Sequence, residues 1–430
     1  MSHYKIVTSL FANTFKSVDH NGNGKSKNNT ILMGSYVLLT GNARGDWQEV
    51  TAFSTTGWIR NSDIGDEPGM KVFFVDVGQG DGALIEVGNK FKMLIDGGPD
   101  TNLGNYLRKW QYKYYFDRNE KVHFDYVVIS HFDKDHYQGL IDIINDDHYT
   151  FGTIFHNGIA KFNSDKADFP ASYNTELGIK KKKNGVNYLT TYFDSIADLI
   201  ALKANGGMLD LMQKFTFAVS NAGQQGRLQN FMRADYQTGL IQVPIAGKTL
   251  KLEFLAPVVK HDPVEYLYLD DEAHTINGHS VVLKLTYGSR SVLFGGDLNS
   301  QAEDHLLKHY GENNPFEVDI AKSCHHGASE FTIEYMAKVN PYATVISSGD
   351  NESYSHPRAD AIGCAGRYSK SKRPLVFSTE LARSTNITTD KIKYGMINLR
   401  CNGDDIIMAQ MKEVVSGALV WDLYDKFVEL

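Results

Sequence analysis

Cysteine is nearly absent: Cys324, Cys364 and Cys401 lie scattered through 430 residues. Three dispersed thiols cannot build the framework of a small disulfide-stapled secreted domain, and a reduced, cytoplasmic protein is the default expectation. The chain also lacks any apolar run long enough to span a bilayer, so no membrane partner is expected. Residues 1–6 are not followed by a secretory segment. Nor is there an excess of positive charge. The formal net charge of −7 argues against binding to polyanions through overall charge, while leaving room for a local basic groove. What the chain does have is length enough for a large core and more than one domain, and 38 glycines, which imply many tight turns.

Residues 1–68 read as short β-prone runs separated by Gly, Asn and Asp, with no long helix. Trp47-x-x-Val50 and Gly57-Trp58-Ile59-Arg60 resemble units of the bacterial SH3-like barrel. That resemblance implies an accessory domain with a peptide or protein ligand. Trp47 and Trp58 are then either ligand-binding aromatics or packing residues. Residues 63–69 mark the boundary.

The rest of the chain is organised around Ser130-His131-Phe132-Asp133-Lys134-Asp135-His136. A short, β-branched, apolar run over 124–129 predicts a buried strand before it, and 137–144 predict a helix after it. Four potential metal ligands therefore share one strand-to-helix loop. In extended backbone His131 and Asp133 point to the same side. Asp135 and His136 are adjacent and diverge, so the loop can serve two neighbouring ions. Imidazole and carboxylate suit zinc, manganese or iron. Two such ions activate water and oppose charge on a leaving oxygen. The competing reading is a charged surface turn.

Upstream, 71–77, 83–87 and 91–96 predict an antiparallel meander with a glycine-rich turn at 78–82. Asp96 closes the third strand on the same rim as the His131 loop. It is a candidate for orienting a ligand or for capping a turn, and Asp81 is similarly placed. Between 150 and 240 the sequence says less. His156 ends a predicted strand, and 179–185 hold a lysine run that reads as a solvated turn or a phosphate contact. Residues 192–203 and 207–214 predict helix in parts, and 262–272 read as an acidic loop. Further on, 281–285 and 291–297 predict a hairpin ending at Asp297. Residues 318–322 predict a strand before Ser323-Cys324-His325-His326-Gly327.

Val75-Asp76-Val77-Gly78-Gln79-Gly80-Asp81, Leu94-Ile95-Asp96-Gly97-Gly98 and the His131/Asp133/Asp135/His136 motif resemble the metallo-β-lactamase superfamily. The nearest likeness is to the branch containing the hydrolase domain of the competence protein that imports DNA, in which Asp replaces the second His, as Asp133 does here. Over about 71–385 the resemblance implies a four-layer αββα sandwich with metals at the rim between the sheets. The whole chain is thus expected to be α+β: a small SH3-like domain (1–68), a hydrolase domain (69–385) and a β-rich C-terminal extension (386–430).

The resemblance also implies roles. His131, Asp133, Asp135, His136, Asp297 and one of the paired histidines, taken as His325, would hold one or two divalent ions, zinc or manganese. Asp297 would bridge them. His326 would lie behind or meet substrate. The branch's Asn-x-x-Ser pattern matches Asn277 and Ser280, leaving His279 as a substrate contact or an idle residue. Asn351, Tyr354 and His356 match its late motif, and His356 is the candidate for gripping a phosphate or protonating a leaving group. Asp135 and His356 are thus the expected catalytic residues. The activity implied is hydrolysis of a phosphodiester in nucleic acid. A small anionic ester or cyclic nucleotide, and a non-catalytic docking protein on the same fold, are the alternatives.

Overall fold

The computed structural model describes residues 3–245, 247–349, 354–379, 396–416, 419–425 and 427–428. The N-terminal segment is a curled, wholly antiparallel sheet of seven strands from Tyr4–Val7 to Ile64–Gly65. Its small core is Val7, Ile31, Val37, Val50 and Ile59. Trp47 is buried there: its indole N–H donates to the Gly22 carbonyl at 3.0 Å and Arg60 covers its face at 4.6 Å. It packs rather than presenting a binding aromatic.

Two larger sheets follow, face to face. The first has nine strands. Met70–Phe74, Ala83–Val87 and Phe91–Ile95 form the expected antiparallel meander. Val122–Ile129, Tyr149–His156 and Leu228–Arg233 then add in parallel. The second repeats the plan with seven: Leu240–Ile245, Lys248–Ala256, Val282–Tyr287 and Arg290–Phe294 run antiparallel. Ile320–Lys322, Ala343–Ile346 and Leu375–Ser378 add in parallel. Phe74, Ile85, Met93 and Val128 of one sheet meet Phe254, Leu283, Leu285 and Phe294 of the other, forming the central core.

Helices cover both outer faces. Lys134–Asn145 and Asp210–Gln224 bury Leu140, Ile144, Phe215 and Val219 against the first sheet. Ser300–Tyr310 and Ile333–Val339 bury Leu306, Tyr335 and Val339 against the second. This is the α+β, four-layer αββα arrangement expected, preceded by the small all-β unit. The two halves share a strand plan although the sequence shows no repeat. The plan depends on apolar alternation and strand polarity, which many sequences satisfy.

Three local expectations are corrected. The lysine run is a strand, Lys180–Lys183, in a hairpin with Val186–Leu189; Asn184 and Gly185, both at positive φ, make the turn between them. Residues 262–272 are only partly loop. Tyr266–Leu267 pair with Val186–Leu189, and Asp271 caps helix Glu272–Gly278 by accepting from the His274 N–H at 2.8 Å. Finally, Ile397–Cys401 pairs with Met70–Phe74, and the two following strands continue outward from it. The C-terminal strands are part of the first large sheet.

Candidate metal centre

Parallel strands deliver their C-terminal ends to one rim, and each half contributes equivalent loops. Asp96 follows Phe91–Ile95 as Asp297 follows Arg290–Phe294. Ser130 and His131 follow Val122–Ile129 as Ser323 to His326 follow Ile320–Lys322. The predicted loop at 130–136 is shorter than expected, because helix Lys134–Asn145 already includes Asp135 and His136. The helix packs against the 97–100 turn: the Gly97 N–H donates to the His136 carbonyl at 2.6 Å, and the Gly139 N–H to the Gly98 carbonyl at 2.9 Å. A Cβ at Gly139 would stand 2.1 Å from the Gly97 carbonyl oxygen, so only glycine admits this approach.

Asp135, His136, Asp297 and His326 each place one ligand atom within 4.8 Å of the others. His136 Nε2 is 3.2 Å and His326 Nε2 3.1 Å from Asp297 Oδ2. Asp135 Oδ2 lies 3.3 Å from His326 Nε2 and 4.0 Å from His136 Nε2. His131 stands beside them, its ring centroid 4.1 Å from that of His136. His325 and His326 reach the rim through consecutive positive-φ residues, at 46° and 53°, an uncommon conformation for residues with a Cβ.

The hydrogen bonds fix the histidine tautomers. His326 Nδ1 lies 3.0 Å from the Ser347 carbonyl, which can only accept. His136 Nδ1 lies 2.9 Å from Asp96 Oδ2. His131 Nδ1 faces the hydroxyls of Ser130 at 3.1 Å and Ser280 at 3.3 Å. Ser130 donates its own proton to Asp96 and Ser280 donates its own to the Asn277 carbonyl, both at 2.7 Å, so both accept from His131. Each ring therefore has a proton on Nδ1 and can turn an Nε2 lone pair to the rim. His131 Nε2, His136 Nε2, His326 Nε2 and Asp297 Oδ1 are buried without a hydrogen-bond partner. Such convergent orphans are what a divalent cation would satisfy, and the donor set of imidazole and carboxylate fits one.

Electrostatics agree with this. Burial opposes charge on His136 and His326, but the surrounding carboxylates, Asp297 foremost, override it and raise both well above the ordinary histidine range. Burial also opposes charge on Asp297, yet His136 and His326 hold it well below the ordinary carboxylate range. His131 goes the other way: burial, helped by the charge of His136, lowers it to about 4. Beneath the cluster Asp81 makes a buried ion pair with Lys322 and lies 3.3 Å from His326 Nδ1. Gly80 allows this fold-back, since a Cβ there would meet the Asp135 carbonyl oxygen at 2.3 Å.

The structure thus assembles His131, Asp133, Asp135, His136 and Asp297 at one rim, with Asp81 and Asp96 behind His326 and His136. Of the adjacent pair it brings His326 into the cluster; His325 Nε2 is 3.9 Å from Asp297 Oδ2 and the side chain is partly exposed. The choice of His325 over its neighbour is corrected accordingly, because positive φ at both residues turns the second ring inward. His279 is not at the rim. It is buried, with Nε2 2.7 Å from the Leu267 carbonyl, and burial lowers it to about 4. His356 sits over the cluster's edge, its ring 5.8 Å from that of His325, with Nδ1 3.1 Å from Gln79 Nε2. Asn351 lies outside the described residues. His156 is in the core, stacked on Phe193 at 4.6 Å.

Three polar residues at the site have no role implied by the sequence. Lys161 pairs with Asp133 at 2.5 Å, Lys322 with Asp81, and Gln79 spans to both His356 and the Gly349 N–H. Gln79 stands inside the Val75–Asp81 motif and Lys322 is a lysine ending an apolar strand just before the paired histidines, whereas Lys161 left no trace in the sequence.

No protein-family profile matches the chain. It is 29% identical over 94 residues to ComE operon protein 3 of Bacillus subtilis (strain 168), covering 22% of this chain and 12% of that protein. It is 33% identical over 96 residues to competence protein ComA of Neisseria gonorrhoeae, covering 22% and 13%. The matched stretch therefore spans about one-eighth of the length of these relatives. Among solved structures, CmlA, a diiron β-hydroxylase from Streptomyces venezuelae, overlaps 74% of this chain and 54% of its own at 13% identity and a TM-score of 0.34.

Proposed function

We propose that this chain is a metal-dependent hydrolase of phosphodiester bonds, with nucleic acid as its substrate class. The observation that carries the reading is the convergence of Asp135, His136, Asp297 and His326, the last three with buried unpartnered atoms, at the rim between two sheets. These four residues would hold the ion, with His131 and Asp133 alongside. A divalent ion there supplies Lewis acidity, polarising water and opposing charge on the departing oxygen.

The protein's own groups supply the rest. Asp96 and the Ser347 carbonyl hold the Nδ1 protons of His136 and His326, so both rings are pre-oriented. Lys322 balances Asp81 beneath them, keeping a carboxylate beside His326 Nδ1. His356, partly exposed and steadied by Gln79, would donate a proton to a leaving oxygen or to a phosphate oxygen. The substrate class is supported by the likeness to competence proteins and by the Asp133 variant of the motif. Residues 1–68 are assigned an accessory role, docking a peptide or protein ligand.

A metal-resolved screen against single-stranded DNA, RNA and small phosphodiesters, with Asp135→Ala as control, tests this reading. Turnover of a nucleic acid that vanishes in Asp135→Ala is expected. Turnover confined to small esters would move the substrate assignment, and none with any metal would end it.

A further inference from the structure

We infer that the centre holds a single tightly bound divalent ion, and that the ammonium of Lys161 takes the place of a second. The inference rests on the metal-binding part of the functional reading. Among the described residues, one complete set of histidine and carboxylate ligands is assembled at the rim. The described residues contain two groups able to hold an ion, Asp135/His136/Asp297/His326 and Asp81/Asp96/His136, and neither includes His131 or Asp133. The second group shares His136 and is closed off by the Asp81 pair with Lys322 and by the Ser130 bonds to Asp96.

A second ion near His131 would draw on His131 Nε2, Asp133 and the free oxygen of Asp297. Asp133 Oδ2 is 3.9 Å from His131 Nε2, but its other oxygen is 2.5 Å from Lys161 Nζ. Both side chains are largely shielded, at 24% and 30% exposure, which strengthens the pair relative to a surface one. Lys161 is held in place: the adjoining Ile159, Ala160 and Phe162 are buried, and its carbonyl accepts from the Leu209 N–H at 3.0 Å.

Ser280 lies on the Nδ1 side of His131, and its hydroxyl is already engaged, donating to the Asn277 carbonyl and accepting from the Asp297 N–H. An incoming dication would meet Asp133 through its other oxygen, Oδ2, beside an ammonium already seated on Oδ1, and would gain one carboxylate oxygen, one imidazole and a shared oxygen against that fixed positive charge. Lys161 already neutralises that carboxylate with a fixed charge.

Metal content tests this. The full chain is stripped, loaded with excess Mn2+, desalted and measured by mass spectrometry, with electron paramagnetic resonance reporting exchange between paired Mn2+ ions. Wild type and Lys161→Arg should retain one ion per chain with no exchange coupling. Lys161→Ala, and the closer isostere Lys161→Gln, should retain two, with coupling. Two ions in the wild type, or one in every folded Lys161 variant, would overturn the inference and leave the metal assignment standing. No retained ion in the wild type would overturn the metal assignment itself.

Discussion

His326 Nε2 lies 3.1 Å from Asp297 Oδ2, joining the loops that follow Arg290–Phe294 and Ile320–Lys322, the fourth and fifth strands of the second sheet. His325, one residue earlier, stays at 3.9 Å and partly in solvent. The two residues are thus separable by mutation. His326→Ala should lower divalent-metal affinity by more than about 100-fold, beyond the ~10–100-fold typical of an outer hydrogen-bonding partner. His325→Ala should change it by less than about tenfold. Competition titration with a metallochromic chelator measures both, and the reverse ranking would show that the other ring is the ligand.

Asp96 makes a separate case. It is buried at positive φ, accepts from the Ser130 N–H and hydroxyl at 2.7 Å, and lies 2.9 Å from His136 Nδ1. Asp96→Asn keeps the shape but removes the carboxylate that orients His136. Metal affinity should fall about 10–100-fold, with the stoichiometry unchanged. Wild-type affinity in this variant would mean that His136 is oriented by packing alone.

The carboxylates hold His136 and His326 protonated well above the ordinary histidine range, so a proton and a cation compete for the same nitrogens. Metal binding at neutral pH should release close to two protons, and apparent affinity should rise with pH. The sign follows because the free protein binds more protons than the loaded one. Titration calorimetry in buffers of different ionisation enthalpy counts the protons; zero release at pH 7 contradicts this picture.

The fold and most of the rim were legible because they follow from local rules. Apolar alternation marks the meander, and a strand running into His131 and Asp133 marks the ligand loop. His326 was harder, since adjacent histidines are distinguished only by the positive-φ backbone that turns one inward. Lys161 was out of reach: it lies 28 residues from Asp133 in a segment without periodic pattern, and only the fold brings them together. The lysine run misled for a related reason. Its charge suggested a turn, whereas Asn184-Gly185 and pairing with Val186–Leu189 make it a strand.

Away from the rim, Glu303 is completely buried in helix Ser300–Tyr310, accepting from the Thr332 N–H at 2.5 Å. Burial raises it to about 8 from an ordinary 4.5. Between those values the unfolded chain has lost this proton and the folded chain keeps it. The contribution to stability is therefore complete below about 4.5 and lost as pH rises through about 8. Glu303→Gln should remove that slope and be more stable than wild type above pH 8, by on the order of a few kcal/mol. Urea unfolding of metal-free protein from pH 5 to 9 checks it; parallel pH profiles would contradict the assignment.

The central claim is that the ion held by Asp135, His136, Asp297 and His326 drives hydrolysis. The direct measurement is cleavage of a chromogenic phosphodiester by chelator-stripped protein before and after metal is restored, beside Asp297→Asn under the same conditions. The account predicts no turnover in the stripped protein, recovery on adding Mn2+ or Zn2+, and at least a 100-fold deficit in folded Asp297→Asn. Equal turnover in the stripped protein, or in Asp297→Asn after loading, would contradict it.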